Sequence, residues 1–206
     1  MADLKTVSAQ VVRTFLEKNL TLGTAESLTG GMIAASVAGV SGASAVLMGG
    51  VVSYDPNYRA SLWSDEATAI ERMLEPLNMV DVLKVSDEEL PLLTGTDDLE
   101  AGSRILADKG IALVLVTLGA NGAYYRFGSH TGHIPGVKVK VGDTNGAGDT
   151  FFGATLAQLA RFGKLEDMAV AELEKIIAIA NKAAALTTSR HGAIPAMPSR
   201  EEVFDN

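Results

Sequence analysis

The chain has 206 residues, enough to bury a substantial core as one large domain or two small ones. Its formal net charge of −8 argues against nucleic acid and anionic membranes as partners, and with no cysteine it has neither disulfides nor thiolate metal sites. Hydrophobic residues make up 47% but aromatics only 5%, a composition of Ala, Val, Leu and Ile typical of helices packed on a parallel sheet.

In chain order, Leu4 to about Asn19 reads as an amphipathic helix with Val7, Val11, Val12, Phe15 and Leu16 on one face, a face expected to pack on the sheet. Leu20 to Ala25 is a short strand, Glu26 to Gly31 a turn, and Met32 to Val37 begins a helix that Thr29 can cap. A second strand lies within Val46 to Tyr54 and stops at Asp55-Pro56-Asn57. Ser61 to Leu77 is helical, with Ser64 as the cap and Leu62, Ala67, Ile70 and Leu74 sharing a face. Val80 to Val85 is a strand, followed by a short helix with Ser86 as N-cap and Glu89 at the capping-box position, ending at Thr94-Gly95. Leu99 to Lys109 is a helix closed by Gly110, and the apolar run Ile111 to Thr117 is a strand buried on both faces. Gly119 to Gly122 turns the chain into a hairpin or meander made of Ala123 to Phe127 and His133 to Val141. Helices from Asp149 to Phe162 and from about Val170 to Thr188 precede an irregular tail.

Strand and helix alternate without an internal repeat or linker. The expected fold is one domain, a three-layer α/β/α sandwich with a mainly parallel sheet and right-handed crossovers. His130, His133 and His191 do not make a metal-ligand set; the first two flank a glycine-rich turn and are expected to face solvent. No apolar run spans a membrane and no signal-peptide pattern opens the chain, so the expected location is cytoplasmic. The oligomeric state is not legible.

The stretch Val139 to Gly153 carries the chemistry. A β-branched run (Val137, Val139, Val141) stops at Gly142-Asp143-Thr144-Asn145, then Gly146, Ala147 and Gly148 lead into a helix at Asp149. Small residues let the backbone approach an anion, and the free N–H groups and dipole of the helix favour its charge. Asp149, in the first turn, can take a proton from a hydroxyl held near that anion. Phosphate cradle plus base is a phosphoryl-transfer layout. The same spacing also suits an ordinary glycine-rich helix entry.

The wording Asp143-Thr-Asn-Gly-Ala-Gly-Asp-Thr-Phe151 resembles the second signature of the ribokinase/fructokinase (PfkB) sugar kinases, with Asn145 in place of a Thr. The resemblance implies an anion hole at Gly146, Ala147 and Gly148 and a general base at Asp149. It runs on from Asp55. Ser53 to Trp63 resembles a fructokinase strand-turn segment, and Ser86 and Glu89 stand at the family's N-x-x-E positions, which implies a part for Glu89 in a magnesium–phosphate network. Val116 to Ala123 resembles the nucleotide-binding turn, implying contacts from Thr117, Gly119 and Gly122, and Asn181 lies on a helix resembling the one that lines the adenine site. ATP and Mg are the implied cofactors.

The family's long N-terminal half, with most sugar contacts and a β lid, has no counterpart. Leu4 to Tyr54 instead resembles the CinA C-terminal domain, a nicotinamide-nucleotide amidase, in Thr24-Ala-Glu-Ser-Leu-Thr-Gly-Gly31 and Ser41 to Tyr54. That resemblance makes Ser27 a nucleophile assisted by Tyr54, but Arg59 stands where the family has Lys and cannot act as a base with a pKa above about 12. The two resemblances meet within Gly49 to Tyr54.

The expectation drawn from this seam is a hybrid of two half-domains, engineered rather than naturally fused because each parent is cut. It would keep a partial ATP or phosphate site with little or no catalysis. Two alternatives stand beside it: an active fructokinase-like sugar kinase, and an amidase acting through Ser27.

Overall fold

The computed structural model describes residues 3–20, 22–26, 32–162 and 164–204. Helix α1 (Leu4–Glu17) is capped by Asp3, whose carboxylate accepts the Thr6 N–H at 2.8 Å. Strand β1 (Leu22–Glu26), helix α2 (Met32–Ala38) and strand β2 (Leu47–Tyr54) follow. Then come α3 (Glu66–Leu74), β3 (Val82–Ser86), α4 (Glu89–Thr94), α5 (Leu99–Ala107) and β4 (Leu113–Thr117). The hairpin β5 (Ala123–Phe127) and β6 (His130–Ile134) leads to α6 (Ala147–Leu159), α7 (Val170–Thr188) and a terminal α8 (Arg200–Phe204).

The described strands form one six-stranded sheet in the order β1-β2-β3-β4-β5-β6. Pairs from β1 to β4 are parallel, and β5 and β6 are antiparallel. The expected α/β/α layering with a mainly parallel sheet is what the structure shows. Successive side chains of a strand face opposite layers. Val82, Leu113 and Leu115 join Phe151, Phe152, Leu159, Leu173 and Ile177 in the core under α6 and α7. Leu83, Val85, Val114 and Val116 join Met73, Leu90 and Leu106 in the core under α3, α4 and α5. Strands β3 and β4 are therefore sandwiched, which is why they read as apolar runs. Each fully buried Leu or Val contributes about 1.5–3 kcal/mol of transfer free energy.

Several expectations need correction. Helix α1 lays only part of its valine face inward. Val12 packs with Val37, Ala43 and Val46, and Phe15 and Leu22 of β1 lie against that small cluster, while Leu4, Val7 and Leu16 stay exposed. The cap of α3 is Asp65, not Ser64. The Asp65 carboxylate takes the Thr68 N–H at 2.8 Å, and the Ser64 hydroxyl merely donates to Asp65. Leu62 sits in a separate helical turn and is exposed, so it is not on the α3 face. The second hairpin strand is His130–Ile134, not His133 to Val141. Pro135 has no N–H to continue the ladder, and Val137, Val139 and Val141 are left exposed and irregular despite their alternation. Thr29, expected to cap α2, lies outside the described residues.

Candidate active site

The site gathers where β2, β3 and β4 end and α6 begins. Gly146 is the N-cap of α6 at φ +77°, a left-handed conformation that a side chain rarely tolerates. The helix starts two residues earlier than the expected Asp149, so Ala147, Gly148 and Asp149 form its first turn. The Thr150 N–H already bonds the Gly146 carbonyl at 2.9 Å, and the Ala147 N–H reaches the Thr144 carbonyl at 3.4 Å. The N–H groups of Gly148 and Asp149 have no carbonyl one turn back to bond within the helix. The Asp149 carboxylate is exposed beside them.

The approach to this turn is braced. Asp143 accepts the N–H groups of Asn145 and Gly192 at 3.0 and 3.1 Å, and these bonds hold its carboxyl below the usual carboxylate range. The Thr150 hydroxyl donates to the Gly146 carbonyl, and the buried Thr187 hydroxyl donates to Thr150 Oγ1. Thus α7 anchors the first turn of α6.

Opposite lies a group of charges on β2, β3 and α4. Ser86 and Glu89 exchange the two bonds expected of a capping box, the Ser86 N–H donating to Glu89 Oε2 at 2.7 Å and the Glu89 N–H to Ser86 Oγ at 3.1 Å, although α4 starts at Glu89 with Glu88, not Ser86, as its N-cap. Glu89 also accepts the Tyr58 N–H at 2.6 Å and is buried. Each carboxylate oxygen thus takes one backbone bond and keeps a lone pair. Lys84 Nζ donates to both oxygens of Asp55, at 3.1 and 3.2 Å. Burial pushes the Asp55 carboxyl up, against the pull of the Lys84 ammonium. Burial likewise raises the Tyr54 hydroxyl, helped by the charges of Asp55 and Glu89.

The turn expected to contact nucleotide is a helical turn, Gly119–Asn121, after β4. Gly122 sits at φ +94°, and a Cβ there would fall 2.1 Å from the Ile134 carbonyl oxygen, so only glycine fits. Thr117 closes β4 beside Ser86, its hydroxyl donating to the Val85 carbonyl at 3.3 Å. Asn181 is nearly buried, and its amide donates to the carbonyls of Ile134 and Pro135 at 3.0 and 3.1 Å. It pins the segment on which the turn rests. Ser27 lies outside the described residues, and the Arg59 guanidinium donates to the Tyr58 carbonyl. Among the described residues no three of His, Asp and Glu converge as a metal-ligand set, and no helix is long and apolar enough to cross a membrane.

The sequence reading passed over Lys84 and Asp55. The available signal was a lone lysine inside the apolar strand Val82-Leu-Lys-Val, a place where charge is rarely buried unless paired.

A mainly parallel sheet between layers of helices, with a glycine-capped helix starting at its strand ends, defines a three-layer α/β protein. The sequence matches the description "pfkB family carbohydrate kinase" over residues 26–200, and the chain belongs to that family. It is 39% identical over 160 residues to the Arabidopsis thaliana protein named "Probable fructokinase-4", covering 75% of this chain and 48% of that one. It is also 39% identical over 156 residues to a fructokinase of Vibrio alginolyticus, covering 76% and 50%. Among solved structures, fructokinase from Vibrio cholerae in its fructose, ADP and calcium ion bound form superposes with a TM-score of 0.71 at 32% identity, over 90% of this chain and 60% of that one. Aminoimidazole riboside kinase from Salmonella enterica, complexed with aminoimidazole riboside and an ATP analog, gives 0.70 at 28% identity, over 90% and 63%. The chain thus spans about half the length of the curated relatives it matches.

These findings overturn the hybrid. The family match begins at residue 26 and runs through the expected seam at 54–55 without a break. Strand β2, which contains the seam, pairs in parallel with both β1 and β3. The error has a physical origin. A buried parallel strand is written in small and β-branched residues in many α/β families, so the wording of Ser41 to Tyr54 does not discriminate among them. The inactive-chimera expectation and the amidase alternative fall with the seam; the sugar-kinase alternative is the one the relatives support.

Proposed function

We propose that the protein phosphorylates a hydroxyl of a fructose-like sugar at the expense of ATP. The observation that carries this reading is the first turn of α6, where two backbone N–H groups without helical acceptors adjoin the exposed Asp149. The sugar oxygen attacks the γ-phosphorus, the bond from that phosphorus to the β–γ bridging oxygen breaks, and ADP departs. Asp149 takes the proton of the attacking hydroxyl, whose oxygen becomes the better nucleophile as the proton leaves. The amides of Gly148 and Asp149, with Gly146 and Ala147 shaping the approach, stabilise the charge on the transferring group.

In this reading the nucleotide runs along the strand ends past Thr117 and the Gly119–Gly122 turn; the bonds from Asn181 to the segment beside that turn support it. Magnesium fits the lone pairs left on Glu89 through water, since this ion keeps much of its hydration shell. When bound it neutralises phosphate charge. In an assay coupled to ADP release, fructose should stimulate turnover, and Asp149→Asn should lower kcat by about a thousandfold. Absence of fructose-dependent ADP release, or turnover unaffected by Asp149→Asn, contradicts the reading.

A further inference from the structure

Strand β3 places a cation against the phosphate turn. Val82 faces the α6–α7 core and Leu83 and Val85 face the other side, so Lys84 points toward α6, one pleat nearer the C-terminal end of the strand. There its side chain meets Gly148. A Cβ built on that glycine would lie 3.2 Å from Lys84 Nζ and 3.7 Å from Cε. The residue is 5% exposed, and its side-chain partner among the described residues is Asp55. An ammonium carries three donors, and Asp55 engages it from the β2 side alone.

This pair is a poor stability device. Burying two charges costs several kcal/mol, and an apolar pair of similar volume often serves as well or better. Leu115, directly across β4 from Lys84, shows that this face accepts leucine. The anion hole gives the charge a use. A glycine at 148 lets the ammonium lie close to the open amides of the first turn, where a Cβ would press on it and shift it by a few tenths of an ångström.

Resting on the phosphoryl-transfer reading, we infer that Lys84 is the internal cation of that site. Its ammonium contacts an oxygen of the transferring phosphoryl group seated on the Gly148 and Asp149 amides, and Asp55 positions it. No proton passes through Lys84; the hydroxyl proton goes to Asp149, and the leaving group is ADP. A fixed cation there matches the growth of charge on the leaving oxygens and needs no reorganisation during transfer.

The test is a calorimetric titration with tripolyphosphate of the unmodified protein, Lys84→Met and Asp55→Asn, beside kcat and KM for ATP. Lys84→Met should weaken tripolyphosphate at least about tenfold and lower kcat about a hundredfold, with Lys84→Arg recovering part of both. Asp55→Asn should tighten tripolyphosphate, because it removes the carboxylate that competes for the ammonium. Both changes should lower Tm, so the opposite signs in binding separate a site role from a structural one. Equal binding by the unmodified protein and folded Lys84→Met overturns this inference while leaving the phosphoryl-transfer reading in place. No binding by the unmodified protein overturns both. If Lys84→Met does not fold, Asp55→Asn decides alone: tighter binding supports the inference, and unchanged or weaker binding overturns it.

Discussion

Among the described residues two cations are buried in the sheet, one on each face, and they are treated differently. Arg126, on β5, points to the α5 side. Its Nε donates to Ser103 Oγ at 3.0 Å, and its other donors reach the Glu100 carbonyl at 3.2 Å and Glu100 Oε1 at 2.5 Å. Glu100 also receives the Tyr124 hydroxyl and Arg104, and these bonds together pull its carboxyl down to about 2. Lys84, on β3, points to the α6 side, bonds Asp55 alone among the described residues, and leaves that carboxyl raised by burial. Arg126 and Lys84 are 6% and 5% exposed, so depth does not distinguish them. What differs is the surroundings: Arg126 bonds a hydroxyl, a carbonyl and a carboxylate that all belong to α5. A buried charge spread over several acceptors on one neighbouring helix ties that helix to the sheet, whereas one held by a single residue beside an open helix N-terminus is poised for a ligand.

The comparison breaks most readily at Arg126. Arg126→Met should take away one of the three side-chain donors to Glu100, leave the Ser103 hydroxyl without its partner and lower stability. Denaturant titration reads that loss. Tripolyphosphate binding by the folded fraction should be unchanged, because the anion site lies across the sheet. A variant that loses anion affinity without losing stability would erase the distinction between the two faces.

Acid should sharpen the comparison with a smaller effect. Glu100 is depressed in the fold from an ordinary value near 4.5 to about 2, so its contribution is present above about 4.5 and is lost as pH falls toward 2. Asp55 is displaced the other way: its raised carboxyl costs stability as pH rises through its folded value and it ionises. Glu100→Gln should therefore flatten the loss of stability between pH 5 and pH 2 in thermal melts. An unchanged acid slope in that variant would remove Glu100 from the account.

Much of the fold was legible because local and global signals agree. The Val170–Thr188 helix, the Ser86–Glu89 box and the doubly buried β4 all follow from periodicity and cap chemistry. The valines at 137, 139 and 141 misled, because alternation reports a preference for extended chain and not the presence of a strand to pair with. The glycine-led start of α6 at Gly146 to Asp149 was legible because it is written in one contiguous stretch. Lys84 and Asp55 were not, because their meaning lies in a register between β2 and β3 that brings residues 29 apart into contact. The seam failed for a related reason: a strand's wording records its burial, and burial is common to many families.

The most direct test follows backbone amide shifts during titration with ATP and magnesium. The account predicts changes centred on Gly119 to Gly122, on Gly146 to Asp149 and on Lys84, with Ser103 and Arg126 silent. Changes centred on the Arg126 network, or silence at Gly148 and Asp149 at millimolar nucleotide, would contradict it.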